Sequence, residues 1–318
     1  MASKGRIKEM SVKNFLFLIK KLNRQGGFKQ IKILGGEPTL HSKFGKMMNI
    51  LFKYVPQASL FTNGLFNDRV SLIIKKHVPK LQLIINIMTP AYQFNTILRQ
   101  KIAARIREFS PFTITALSVI VNPETDTKTI LKTVEADTLK YVQSIRIGVS
   151  NPIMGEKNTY AFRNFPHIGK KVLELISGFK KIKQNLIFKM DCGFTRCMFT
   201  DGQYKILQES GIYYLWGCFQ GNLIGCLDVQ SDMKAITCYS LSEAKKEDLL
   251  KENIPTVEKR LFLQQYLYQE QHLMESCKDC KYRKGKEKCK GPCIGFKMNA
   301  FSYANRGRSN KISDSSAL

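Results

Sequence analysis

The chain has 318 residues, 43% of them hydrophobic, which suits one large domain or two smaller ones around a real core. No apolar stretch approaches the ~20 residues a membrane span needs, and the basic segment Met1–Met10 lacks the apolar run of a secretory signal. The expectation is a soluble cytoplasmic protein with no membrane partner. Lys and Arg number 51 against 25 Asp and Glu, a net charge of +26 that favours anionic partners such as nucleic acid, phosphates, acidic peptides or membrane surfaces. The basic residues are spread along the whole chain, so a generally Lys-rich surface accounts for the charge equally well.

In chain order, Ser11 can cap a helix with apolar positions Val12, Phe15, Leu16, Ile19 and Leu22, ended by Gly26-Gly27. Ile31–Leu34 has strand length, and Phe44, Met47, Met48, Leu51 and Phe52 mark a second helix. Alternation then continues: strand Ser59–Phe61, helix Val70–Lys76, strand Leu81–Met88, helix Ile97–Phe109 and strand Ile114–Val121. Helix Ile130–Leu139, strand Val142–Val149, helix Ile168–Lys181 and strand Leu186–Met190 follow. Ile- and Val-rich strands alternating with helices at βαβ spacing predict an α/β fold with a parallel sheet under helices, with too few units for an eightfold barrel. After about residue 200 the pattern dissolves into short runs, glycines and cysteines. The predicted organisation is a core over residues 1–200, a cysteine-rich domain over 201–300 and a disordered tail over 301–318.

The strand Ile31–Leu34 runs into Gly35-Gly36-Glu37-Pro38-Thr39-Leu40-His41. Ligands of parallel α/β sheets bind beyond the carboxyl ends of the strands. Two glycines there let a ligand approach the backbone, and Glu37 supplies a carboxylate for an ammonium group. Pro38 stiffens the turn. Polar groups recur near the following strand ends: Thr62-Asn63-Gly64, Asn86, and Arg146 within Ser144-Ile145-Arg146-Ile147-Gly148. A tight turn with a surface glutamate is the plainer reading of the first motif.

The series Ile-Leu-Gly-Gly-Glu-Pro-Thr-Leu-His, then Thr-Asn-Gly, then Ile-Arg-Ile-Gly resembles the radical S-adenosylmethionine (SAM) family over roughly residues 4 to 200. The resemblance implies a partial (βα)6 barrel. It also implies a SAM-binding loop at Gly35, Gly36, Glu37 and Pro38 that holds the methionyl amino group, with Thr62, Asn63, Asn86 and Arg146 facing the rest of the cofactor. The family's C-x3-C-x2-C loop, whose thiolates hold the SAM-chelating [4Fe-4S] cluster, has no counterpart here: the first cysteine is Cys192. By the same resemblance the first barrel strand is missing. A truncated chain and a degenerate member that lost the chemistry are the two explanations.

All nine cysteines lie at or beyond Cys192. Cys277-x2-Cys280-x8-Cys289-x3-Cys293 has the paired spacing of a zinc or iron–sulfur site. With Cys218, Cys226 and Cys238 upstream, the set resembles the SPASM module, an auxiliary-cluster domain of radical SAM enzymes. Met233 stands where that pattern has glycine, and the module's last cysteine is absent after Cys293. The resemblance implies one [4Fe-4S] cluster on Cys218, Cys226, Cys238 and Cys293, and a second on Cys277, Cys280 and Cys289 with an open or non-cysteine fourth position. Zinc is the alternative metal there. The eight Lys and Arg residues within 277–297 would partly offset the negative charge of a thiolate-bound cluster, or form a solvated basic loop. Cys192 and Cys197 are candidates for substrate contact, hydrogen-atom donation or an extra ligand, or are two small buried residues.

The function these features imply is radical SAM chemistry. In an intact form, SAM would be cleaved to a 5′-deoxyadenosyl radical that abstracts hydrogen from a peptide or protein substrate, served by an electron donor. The alternatives are a basic, zinc-dependent nucleic-acid-binding protein and an inactive relative that binds a peptide or partner.

Overall fold

The structure, a computed structural model, describes residues 9–25, 30–87, 95–134, 136–158, 160–213, 216–218, 227–286 and 288–302. The expected Gly26-Gly27 helix stop, Met88, Cys226 and nearly all of the expected tail lie outside these residues. The Ser11 hydroxyl accepts the Asn14 amide at 3.1 Å and opens α1 (Val12–Arg24). There follow β1 (Ile31–Ile33), α2 (Phe44–Tyr54), β2 (Ala58–Thr62), α3 (Asp68–Lys75), β3 (Leu81–Asn86), α4 (Thr96–Phe109) and β4 (Thr115–Val121). The six strands, ending with β5 (Ser144–Val149) and β6 (Ile187–Met190), pair in chain order, every pair parallel.

Residues alternate between the two faces of this sheet. One face carries Leu60, Leu83, Ile85, Leu117, Val119, Ile145 and Ile147, all buried in clusters with helix residues such as Ile19, Leu51, Ile106 and Phe179. The other face is mixed, with an apolar row of Phe61, Ile84, Ala116 and Ile187 between two polar ones. Lys32, Ser59 and Gln82 stand in register across β1–β3, and Asn86, Ser118, Arg146 and Lys189 across β3–β6. Helices therefore cover one face, and polar residues recur on the other.

Two differences from the sequence reading have local causes. The helix expected over Ile130–Leu139 is broken into α5 (Thr127–Thr133) and α6 (Ala136–Leu139), because Val134 is extended at φ −83° and ψ 90°. The Asp126 side chain caps the Thr129 amide at 3.1 Å, which starts α5 earlier than the apolar spacing suggested. α7 (Phe165–Ile182) and α8 (Asp201–Glu209) flank β6. The irregular C-terminal part contains a small antiparallel sheet, β7 (Asp228–Val229), β8 (Lys234–Ile236) and β9 (Glu247–Asp248), and an 18-residue helix α9 (Ile254–Gln271). α9 is capped by Asn253 and buries only Ile254, Val257, Leu261 and Gln265, so its apolar face is narrow. Short helices α10 (Glu275–Lys278) and α11 (Lys281–Lys284) follow, and residues 294–302 are helical.

The C-terminal part docks on α1. Leu18 packs with Met233, Ala235, Leu249, Val257 and Leu261, and the Lys21 ammonium donates to the carbonyls of Leu249 and Glu252. Among the described residues no helix is long and apolar enough to cross a membrane.

Met233 lies in that contact at φ +66°, the left-handed region a glycine would occupy at no steric cost. The backbone thus adopts a glycine-like conformation where the SPASM pattern has glycine, while the Met side chain is fully buried. The strain costs about 1–3 kcal/mol. Emptying the side-chain site costs more, about 2–5 kcal/mol. Met233→Gly is therefore expected to lower stability by about 1–3 kcal/mol in denaturant unfolding, net of the strain it relieves. A variant more stable than the parent would show that the strain outweighs the packing.

Candidate functional site

Gly35 and Gly36 leave β1 exposed, and an added Cβ at either would meet nothing within 4 Å. A ligand therefore has room to approach this backbone. Pro38 opens a short turn, Pro38–Leu40, capped by Glu37. Glu37 Oε1 accepts from the Thr39 amide at 3.2 Å, the Thr39 hydroxyl at 2.6 Å and the Thr62 hydroxyl at 2.8 Å. Its Oε2 accepts from the Asn63 amide at 2.7 Å. One carboxylate thus ties the loop after β1 to the loop after β2. An ionised carboxylate offers about four lone-pair sites, so an incoming ammonium would share an oxygen that already holds a donor. Thr62 is buried and also receives the Gly64 amide, and Asn63 Oδ1 receives the Leu65 amide at 2.9 Å. Asn86 is exposed at the end of β3.

Arg146 projects from the polar row. Its guanidinium lies 4.6 Å from the Phe61 ring centroid, and its Nε donates to Asp191. Burial raises the Asp191 pKa above the usual carboxylate range, against the pull of Arg146 and Lys32. The sequence reading missed Asp191, although it directly precedes Cys192.

Beyond Asp191, three cysteine-bearing loops are stitched together by their backbones. The Gly193 amide donates to Gly217 O at 3.4 Å, and the Gly217 amide to Phe194 O at 2.6 Å. The Cys218 amide donates to Gly291 O at 3.2 Å, and the Lys290 amide to Trp216 O at 3.0 Å. The loops at 192–197, 216–218 and 289–293 therefore converge, and the thiols sort into two groups.

The first group is Cys192, Cys218, Cys238 and Cys293. The Cys293 thiol donates to Ser240 Oγ at 3.3 Å, and Cys218 Sγ accepts from Gln265 at 3.5 Å. Burial, then the fields of Cys293 and Cys218, push the Cys192 thiol up to about 12 and Cys238 well above its ordinary value. Burial and then Cys218 raise Cys293 to about 11. The second group, Cys197, Cys277, Cys280 and Cys289, lines one cavity beside Thr195 and Gly291. Burial pushes Cys197 up to about 11, opposed by a 3.2 Å contact with the Thr195 hydroxyl. Burial also raises Cys289, opposed by hydrogen bonds from the backbone of Arg196 and Gly291.

The eight described cysteines form no disulfide. Among the described residues no three His, Cys, Asp or Glu side chains close on a single ion position. The Lys297 side chain is 1% exposed, with its ammonium 2.7 Å from Lys290 O. Burial lowers its pKa, while Cys218, Cys277, Cys289 and Cys293, drawn from both groups, pull it back up. Of the eight basic residues in this stretch, Lys297 is the one the sequence could not single out, because only the fold places it between the thiols.

The class of protein that these features define is a parallel α/β sheet with the radical SAM barrel fold, carrying two groups of buried and half-buried thiols beyond its last strand. In fold the chain is similar to SuiB of Streptococcus suis solved bound to S-adenosylmethionine, with TM-score 0.57 and 14% identity over 79% of this chain and 58% of that one. It is equally similar to SuiB bound to its precursor peptide SuiA, with TM-score 0.57 and 14% identity over 81% of this chain and 60% of that one. The chain thus spans about six tenths of the length of these structures. No family model and no curated protein matches the sequence.

Proposed function

We propose that this protein carries auxiliary iron–sulfur clusters in a SPASM-type C-terminal region, next to a SAM-binding strand-end face, and acts on a peptide or protein. The observation that carries the reading is the pair of thiol groups gathered from distant loops, the first of them beside Arg146 and Asp191. The donor set fits the clusters. A thiol gives up its proton when a metal binds it, and soft sulfur suits iron–sulfur clusters. Ligands of a four-iron cluster bind separate irons, so they need not close on one point as zinc ligands do. Cys218, Cys238 and Cys293, with Cys226 or Cys192, would hold one cluster, and Cys277, Cys280 and Cys289 part of another. Such clusters supply one-electron chemistry or a substrate-binding iron.

Gly35, Gly36, Glu37 and Pro38, with Thr62, Asn63, Asn86 and Arg146, would hold SAM. The peptide substrate is supported by the likeness to SuiB with SuiA bound. The SAM-chelating cluster is different: no cysteine precedes Cys192, so residues 1–191 offer it no thiolate.

Anaerobic reconstitution followed by iron and acid-labile sulfide analysis tests the reading. Two clusters per chain are expected, and Cys218→Ala or Cys238→Ala should lose about one. Stoichiometric zinc without sulfide rejects it. Lys297 gives a further prediction. Removing a buried cation beside the thiols in Lys297→Met should disfavour the reduced, more negative cluster. Midpoint potentials should fall by on the order of tens of millivolts in an EPR-monitored titration. Unchanged potentials would place the ammonium's influence elsewhere.

A further inference from the structure

We propose that Cys197, from the loop after β6, is the fourth ligand of the cluster held by Cys277, Cys280 and Cys289, so that this cluster has no open iron. The proposal rests on the iron–sulfur reading above and departs from the expectation of an open or non-cysteine fourth position.

Three observations carry it. Cys197 lines the same cavity as Cys277, Cys280 and Cys289, and among the described residues no other cysteine is on its wall. The backbone of Arg196, the residue before Cys197, hydrogen-bonds to the Cys289 sulfur, so the two cysteines are neighbours across the cavity. The loop is also anchored. Arg196 is 2% exposed, its guanidinium donates to Phe199 O at 2.6 Å and pairs with Asp201, and it stacks 4.6 Å from the Tyr282 ring centroid. Tyr282 lies in α11, directly after Cys280, and its carbonyl accepts the Cys289 amide at 2.9 Å. One buried arginine therefore fixes the Cys197 loop against the segment that holds Cys280 and Cys289. A thiol held in this way needs little reordering to bind, which keeps the entropic cost of coordination small. On binding, the Cys197 S–H bond breaks, the S–Fe bond forms and the proton leaves to solvent.

The test compares reconstituted parent, Cys197→Ala and Cys277→Ala chains by iron and sulfide content, EPR and Mössbauer spectra. The parent should hold two four-iron clusters whose EPR spectra do not change when a small thiol is added, because every iron already has a protein ligand. Cys197→Ala should keep the Cys218 cluster. Its second cluster should either lose one iron to a three-iron form or show an EPR line shape that shifts on thiol addition. A second cluster in the parent that responds to added thiol overturns the proposal without using any variant. So does a Cys197→Ala chain with full iron and an unresponsive spectrum, when Cys277→Ala loses the cluster. Parent chain with no iron and sulfide overturns the underlying reading, a result distinct from both.

Discussion

Gly217→Ala is expected to lose most of the iron and sulfide that the parent chain takes up. Gly217 sits at φ +93°, where an L-residue costs about 1–3 kcal/mol. The larger effect is steric. An added Cβ would overlap Gly291 O and lie 2.9 Å from the amide nitrogens of Gly291 and Lys290. These are backbone atoms of the Cys289–Cys293 loop, so no side chain can rotate away. The loops must separate, which breaks the Cys218 amide bond to Gly291 O and the Lys290 bond to Trp216 O. Both thiol groups draw members from those loops, so neither keeps its geometry. Combined strain and lost bonds amount to roughly 3–5 kcal/mol, above the usual range for a single substitution. Gly211→Ala is the matched comparison: it has φ +74° but nothing within 4 Å of an added Cβ. It should lose only about 1 kcal/mol and retain its iron. Iron content of Gly217→Ala equal to that of Gly211→Ala would mean that the crossing of the two loops does not hold the thiols together.

The barrel was legible because its strands are short runs of Ile and Val between helices of clear period, a pattern that survives in any single sequence. The glycine-to-proline loop was legible as an open strand-end turn. That Glu37 is already bonded to Thr39, Thr62 and Asn63 was not, because the partners from β2 lie 25 and 26 residues away. α9 went unread because only a thin stripe of its surface is apolar. The Cys277–Cys293 spacing marks a candidate metal site by local sequence alone. The placement of Cys192 and Cys197 carries no such signal, since 80 residues separate Cys197 from Cys277 and only the β6 loop brings them together. Asp191 escaped for the same reason: its partner Arg146 stands on the neighbouring strand.

The largest effect expected of the chain is a missing activity. Given SAM and dithionite, with both thiol groups loaded, these 318 residues should form no 5′-deoxyadenosine above a protein-free control. By the radical SAM resemblance, cleavage needs an iron that chelates SAM beside the Gly35-Gly36-Glu37 loop. Residues 1–191 contain no cysteine, so no thiolate of that segment can place an iron there. SAM binding itself does not require the iron. The Glu37 clamp holds the β1 and β2 loops in place through its own four hydrogen bonds. Equilibrium dialysis should therefore detect weak SAM binding. Glu37→Ala should abolish it, because that change removes the carboxylate and frees both loops, leaving the Thr39 and Asn63 amides without their acceptor. Detection of 5′-deoxyadenosine would sink the prediction and point to one thiol group in particular. Cys192 follows Asp191, the partner of Arg146, and lies within reach of the Arg146 charge. The cluster on the Cys192 group would then be the one in contact with SAM, and Cys192→Ala should abolish the product while Cys197→Ala leaves it in place.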